Sequence, residues 1–346
     1  MRQQHTSDAA LLSSQSILLD IQPTHGLYSL KELSRLTIGE IQSYNRLDIM
    51  LALRHGLARN SNLLSPEEVE NLVALARYLC DWPILIKMQQ LGLWRPFAEE
   101  EAIAEIQLGE FDRALVKVQL ALSRQPTNVD LIQACHDIQQ LFLKMPYQQK
   151  DLNSNELSLT PLSLNHLADF AWQYADTSIA ERCNLPKFTS SQQWMAWMQL
   201  CQQDKHRHLF AVMHAEYGFI GSVSLQTFND VGFFYYWIGT DFQGKGLGPR
   251  AVEILLTLAK KYHGLTSCYA KIFDYNKPSH VAINKLTFTR LPFTAKAPSE
   301  SEVFYYRGAM LSERQHHRQL QWLLEQLKSD IELTPFLQHS VLSSTP

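Results

Sequence analysis

The hydrophobic period of this 346-residue chain changes once, near residue 150, and that change divides the fold. From about Ser29 to Leu143 apolar residues recur at three- and four-residue spacing, as in Val69, Leu72, Val73, Leu75 and Ala76, which predicts amphipathic helices. Ser65, Pro66, Glu67 and Glu68 make a helix start, with a capping hydroxyl, a proline in the first turn and two acids at the positive end of the dipole. Beyond a polar, turn-rich stretch from Met145 to Glu156, short β-like runs appear at 157–159, 209–213, 219–225, 233–239, 268–273 and 303–307, with helical segments between them. The first half is therefore expected to be all-α and the second α/β. The loop His214 to Gly218 between two of these runs suits an antiparallel hairpin, so the sheet is expected to be mixed.

The expected divisions are a disordered or loosely packed stretch 1–28, a helical domain 29–145, a linker 146–156, an α/β domain 157–310, and a C-terminal helix and tail over 311–346. In the last of these, Leu320, Leu323, Leu324 and Leu327 share one helix face. Within the helical domain, Gly109, Glu110, Phe111, Asp112, Arg113 and Ala114, followed by Val118, Ala121, Leu122 and Pro126, resemble one tetratricopeptide repeat over 96–127. An ordinary helical hairpin fits the same residues, because three clear copies are lacking.

Charge and cysteine usage narrow the function. The 31 Lys and Arg against 34 Asp and Glu give a net charge of −3, which provides no basic field for nucleic acid. Five cysteines without a CxxC pair favour neither a disulfide framework nor a zinc site and point to the cytoplasm. His206, His208, His316 and His317 stand among charged neighbours, so no metal is expected. No apolar run approaches the ~18 residues that span a bilayer.

The most informative segment is Tyr236-Trp237-Ile238-Gly239-Thr240-Asp241-Phe242-Gln243-Gly244-Lys245-Gly246-Leu247-Gly248-Pro249-Arg250, a strand running through a glycine-dense loop into the helical run 251–260. Glycines let the backbone approach a ligand, and the orphan N–H groups of a first helical turn hold an anion. Lys245 and Arg250 add positive charge, and Pro249 fits the first turn. Neither the P-loop nor the dinucleotide fingerprint is present.

Gln243, Gly246 and Gly248 match Q-x-x-G-x-G and resemble the pyrophosphate motif of the GCN5-related N-acetyltransferase (GNAT) superfamily. The resemblance extends to Gly218, Ile220 and Gly221 upstream, and to Phe188, Thr189 and Ser190 before Trp194 and Trp197. Downstream it takes in Asn276, Ser279, Leu286 and Phe288, while Tyr236-Trp237-Ile238-Gly239 is similar to the branch that acetylates ribosomal-protein N-termini. It covers about 155 residues, from Asn155 to Met310.

The resemblance implies a mixed-sheet acyltransferase domain with acetyl-CoA as cosubstrate. The loop Gly244, Lys245, Gly246, Leu247, Gly248, Pro249 and Arg250 would hold the pyrophosphate, the strand edge Trp237, Ile238 and Gly239 the pantetheine arm, and Asn276 and Ser279 the region of the sulfur. It also implies direct attack of an amine on the thioester, with Ser279, Tyr236 and Asp274 as candidate acid–base groups. Asp230, Tyr275 and Glu302 remain further candidates, because Phe233 stands where many relatives place glutamate and Ile283 where many place tyrosine. Thr287 replaces an expected glycine. Cys268, inside a strand, reads as core rather than nucleophile. The expected acceptor is a protein or peptide amine docked by the helical domain; a small amine such as an aminoglycoside, polyamine or amino acid stays open, as does a non-catalytic acyl-CoA sensor or scaffold.

Overall fold

The computed structural model describes residues 28–44, 46–60, 64–79, 81–108, 110–144, 152–154, 156–163, 166–183, 186–298 and 301–334. The expectations for 1–27, for Gly109 in the repeat-like turn, for most of the 146–156 linker and for the tail after Thr334 fall outside the described residues.

The first half is helical: α1 Leu30–Leu33, α2 Ile38–Gln42, α3 Arg46–Asn60, α4 Pro66–Tyr78, α5 Trp82–Gln90, α6 Ala98–Gln107, α7 Phe111–Arg124 and α8 Val129–Lys144. Ser29 with Glu32, Thr37 with Glu40 and Ser65 with Glu68 form reciprocal capping boxes, so side chains satisfy the N-terminal donors of α1, α2 and α4. Leu72, Val73, Leu75 and Ala76 are buried on α4 at the spacing that the sequence shows. Helices α1 to α5 close a core around Ile49, Leu53, Leu72 and Leu85. Ala102, Phe111, Ala114, Val118 and Leu131, from α6 to α8, instead join one continuous core with the sheet of the second half. In the repeat-like stretch Ala114 is fully buried and α7 stops at Arg124, short of Pro126.

The second half is a sheet ordered β1-β2-β3-β4-β5-β6-β8-β7-β9, comprising β1 Asn153–Ser154, β2 Leu157–Pro161, β3 Arg207–His214, β4 Gly218–Phe228, β5 Val231–Ile238, β6 Ser267–Phe273, β7 Thr289–Ala297, β8 Glu302–Arg307 and β9 Glu332–Leu333. All neighbours are antiparallel except β5 and β6. The β3–β4 hairpin forms where the sequence expects it. Strand β7 has no counterpart among the sequence-expected runs, although Leu291, Phe293 and Ala295 are buried at alternating positions. Pro292 and a register shift between Arg290 and Thr294 disguise it.

Helix α12, Leu247–His263, shares the core of one sheet face with α6 to α8. The other face carries α9 Leu167–Tyr174, α10 Thr177–Cys183 and α11 Ser191–Gln203, and beside them α14 Glu313–Gln326 with Leu320, Leu323 and Leu324 buried. No helix among the described residues is long and apolar enough to cross a membrane.

After α13, Lys277–Lys285, the backbone of Thr287 enters the left-handed region at φ 58°, with its N–H donating to the Asn284 carbonyl. This is a helix-ending position that favours glycine, and a β-branched residue there costs ~1 kcal/mol. The exposed variant Thr287→Gly is expected to raise the melting temperature by about 2–4 °C in thermal unfolding.

Candidate active site

Strands β5 and β6 pair only where Val231, Gly232 and Phe233 meet Ser267, Cys268 and Tyr269. Beyond that point they no longer bond, and a cleft of about 370 Å³ opens between Phe234 to Ile238 on one strand and Ala270 to Phe273 on the other. Because side chains alternate across a strand, the cleft has two sides. Phe234, Ile238 and Ala270 belong to the α12 core, and Tyr236 packs against it. Trp237 faces α9 to α11, and Phe233, Tyr235 and Tyr269 lie on that same side with α14. Lys271, next to Ala270, points the same way as Tyr235.

On the α12 side the glycine loop does what its composition predicts. Gly244 and Gly246 sit at φ 76° and 75°, conformations that favour glycine, and Gly246 is the N-cap of α12. A Cβ at Gly246 would meet nothing within 4 Å, whereas one at Gly248 would lie 2.7 Å from Tyr236 Cε2. The first position is open for a ligand; the second lets α12 close on β5. Gln243 Nε2 donates to the Ile238 carbonyl at 2.9 Å, tying the loop to the strand end. Gln243, Gly244, Gly246, Leu247, Gly248 and Pro249 line the cleft, as do Trp237, Ile238, Asn276 and Ser279. Orphan N–H groups of the first turn of α12 thus face a space that suits an anion.

Three expected contributors lie elsewhere. Lys245 rests on the rings of Tyr217 and Phe242, 5.6 and 5.8 Å from their centroids. Arg250 pairs with Glu156 at 3.1 Å. Gly239 is closed in by Gln173, whose Oε1 would stand 2.0 Å from a Cβ there. Both cations found local partners that the sequence does not announce.

Of the candidate acid–base groups, Tyr236 and Ser279 come together. Ser279 occupies the first turn of α13, where Asn276 is the N-cap and accepts from the Ser279 N–H at 3.4 Å. The Ser279 hydroxyl lies beside the Tyr236 phenol, both lining the cleft. Burial raises that phenol to about 12, the nearby Cys183 adds to the rise and Ser279 opposes it, so Tyr236 keeps its proton throughout the physiological range.

Asp274 is placed differently from the expectation: its side chain is exposed, pairs with Arg290 at 3.1 Å and does not line the cleft. Tyr275 is 61% exposed and stacks on Phe273. Asp230 accepts from the Thr266 hydroxyl at the closed end of β5.

Glu302 is the carboxylate that the cleft holds. It is buried on β8, its Oε1 receives Lys271 Nζ at 2.5 Å, and its buried Oε2 has no hydrogen-bond partner. Antiparallel pairing of β6 with β8 creates this pair from residues 31 apart in sequence. Sequence reasoning named Glu302 without a reason to prefer it, and it missed Lys271, Tyr235, Arg182 and Cys183, all of which line the cleft. Burial raises the Tyr235 phenol, Glu302 adds to that and Arg207 opposes it.

His316 corrects another expectation: it is buried, with its ring 4.2 Å from Tyr306, rather than solvated. No cluster of potential metal ligands occurs among the described residues. Cys268 is buried and its thiol is raised well above the ordinary range by burial, which suits a core residue.

A glycine turn at the start of α12 thus stands on one side of an opened sheet, with a buried carboxylate on the other. Residues 156–289 match the acetyltransferase (GNAT) domain family, and the chain carries a GNAT acetyltransferase domain over that stretch. None of the curated proteins compared with it matches the chain. Among solved structures it is similar to the Salmonella typhimurium acetyltransferase that modifies the N-terminal serine of ribosomal protein L7/L12, at 17% identity, covering 45% of this chain and 97% of that one with a TM-score of 0.41. It is also similar to the Vibrio cholerae spermidine N-acetyltransferase, solved with CoA and spermine, at 16% identity over 44% and 96% of the two chains with a TM-score of 0.40. A third is the microcin C7 self-immunity acetyltransferase, solved with acetyl-CoA and AMP, at 17% identity over 47% and 97% with a TM-score of 0.42.

Proposed function

We propose that the chain transfers the acetyl group of acetyl-CoA to a primary amine of a protein or peptide by direct attack on the thioester. The observation that carries this reading is the opened β5–β6 gap, which joins the glycine loop, Tyr236 and Ser279 on one side to Glu302 on the other. The loop N–H groups and Gly246 receive the pyrophosphate, and the unpaired edge of β5 at Trp237 and Ile238 takes the pantetheine arm.

The acceptor ammonium enters from the Glu302 side. Glu302 Oε2 takes its proton, and the freed nitrogen lone pair forms a bond to the thioester carbonyl carbon. As the C–S bond breaks, its electrons stay on sulfur, where the protonated Tyr236 hydroxyl donates a hydrogen bond backed by Ser279. A second proton leaves nitrogen as the amide forms and ends on sulfur through this hydroxyl pair. Asp274 has no part in these steps.

A protein or peptide acceptor suits the cleft better than a polyamine, because among the described residues Glu302 is the one carboxylate that lines it and Lys271 already neutralises it. Among the described residues the helical half supplies no lining residue, so its role is to brace the site rather than to contact the reacting amine. We place the reaction in the cytoplasm, a setting in which the free thiols Cys135, Cys183, Cys201 and Cys268 are stable.

Gly246→Glu tests the cofactor side. A carboxylate within ~5 Å of the pyrophosphate is expected to weaken acetyl-CoA binding at least ~100-fold by calorimetry. Gly246→Ala, with the same backbone cost but no charge, should keep most of the affinity. Binding that survives the glutamate would remove the loop assignment. If wild type binds acetyl-CoA but releases no CoA with any peptide or amine in a broad panel, the chain is a sensor rather than an enzyme.

A further inference from the structure

The charges around the cleft are unequal, and their arrangement describes the acceptor more closely. Among the described residues Arg182, Lys271, Lys285 and Glu302 are the charged residues that line it, three cations against one carboxylate. Lys271 and Glu302 cancel in a buried pair. Lys285 ends α13, on the Tyr236 and Ser279 side. Arg182 belongs to α10, which lies with α9 and α11 over the side that carries Tyr235, Lys271 and Glu302, and its next residue, Cys183, reaches the Tyr236 carbonyl at 3.9 Å. Arg182 therefore lines the same cleft as Glu302, from the helix layer on the acceptor side.

It is exposed there, and its charged neighbour is Asp176, whose carboxylate it helps to stabilise. Asp176, an acid on the segment leading into α10, is committed to the Thr240 hydroxyl and to Ser178. Among the described residues the acceptor side thus presents a buried carboxylate oxygen without a donor, Glu302 Oε2, and an exposed guanidinium whose carboxylate neighbour, Asp176, is already engaged by Thr240 and Ser178. An isolated ammonium would satisfy the first and be repelled by the second.

Resting on the acetyltransferase reading above, we propose that the acceptor carries a carboxylate close to its primary amine. Glu302 receives the ammonium and Arg182 holds the carboxylate through charge-assisted hydrogen bonds. A polypeptide N-terminus with an acidic residue among its first few, and a free amino acid, both have this chemistry. Polyamines do not.

The test measures acetylation by the full chain, following CoA release and product mass, with peptides Ser-Asp-Ala-Ala, Ser-Ala-Ala-Ala and Ser-Lys-Ala-Ala amidated at the C-terminus, and with free glutamate and spermidine. An exposed attraction to Asp and an exposed repulsion of Lys at ~0.7 kcal/mol each sum to ~1.4 kcal/mol, so kcat/KM should favour the Asp peptide over the Lys peptide by about tenfold, and added salt should compress the ratio. Arg182→Glu should invert that preference and change the neutral peptide far less; Arg182→Ala should level it. Glutamate outrunning every peptide would assign the chemistry to amino acids, whereas the Asp peptide leading assigns it to N-termini. Asp and Lys peptides turning over within twofold of each other, or a loss in Arg182→Glu that is equal for all acceptors, overturns the proposal while leaving acetyl transfer intact. No product from any acceptor overturns both.

Discussion

Replacing Glu302 with Gln is expected to lower kcat/KM for the acetylated amine by about 10² to 10⁴ while leaving acetyl-CoA affinity within about twofold of wild type. The amide keeps the volume and one acceptor oxygen but loses the basicity that takes the ammonium proton. A structural explanation makes a different forecast. Glu302 also neutralises Lys271, and removing one member of a buried pair leaves the other uncompensated. The double variant Glu302→Gln with Lys271→Met relieves that charge, so it should regain stability in urea unfolding without regaining turnover. If the double variant recovers the rate, Glu302 serves only to hold Lys271, and the assigned base is wrong.

The pair also shows what the sequence can and cannot disclose about such a site. The cofactor side was legible because its demands fall on the backbone: Gly244 and Gly246 at positive φ and Gly248 against Tyr236 are places where composition alone carries the geometry. The β3–β4 hairpin and the buried stripe of α4 were legible for a similar reason, since their periods are local. The side proposed for acid–base work is assembled at long range. Lys271 meets Glu302 through sheet pairing, and Tyr236 lies beside Ser279 across a strand, a loop and a helix, so no spacing announces either contact. Charge near a motif is less legible. Lys245 and Arg250 flank the glycines in sequence, and their side chains meet Tyr217, Phe242 and Glu156, partners brought in by the fold. His316 misled because its neighbours in α14 are polar while its own position faces Tyr306. Strand β7 offered a readable alternation at Leu291, Phe293 and Ala295, and Pro292 with the adjoining register shift hid it.

A second large effect is expected far from the reacting atoms, in Arg46→Ala. Arg46 on α3 pairs with Asp169 on α9, both side chains at least nine-tenths buried, and its guanidinium also lies 5.0 Å from the centre of the Trp172 ring. A companion pair stands close by: Arg54 donates to Asp81 at 2.5 and 3.2 Å, and Asp81 caps α5 by accepting from the Ile84 N–H. The Arg46 contacts fasten the helical half to α9, while the Arg54–Asp81 pair ties α3 to the start of α5 within that half. Gln173 on that helix donates to the Phe219 carbonyl at 2.6 Å and abuts Gly239 at the end of β5.

Burial raises the Asp169 carboxyl to about 6, with Arg46 opposing the rise and Asp81 adding to it. A folded value above the ordinary one means that protonation of Asp169 favours the folded state fully below about 4, and that this support is lost as pH rises through about 6. Above that range the buried carboxylate depends on Arg46. Removing the guanidinium should therefore cost ~3–5 kcal/mol at pH 8, read from urea unfolding, and clearly less at pH 5, where the carboxyl can be neutral. Arg46→Ala with Asp169→Asn should recover much of the loss at pH 8, because no unpaired charge remains. Equal losses at the two pH values would instead assign the effect to packing on Trp172, and the charge pair would not be what joins the two halves of the chain.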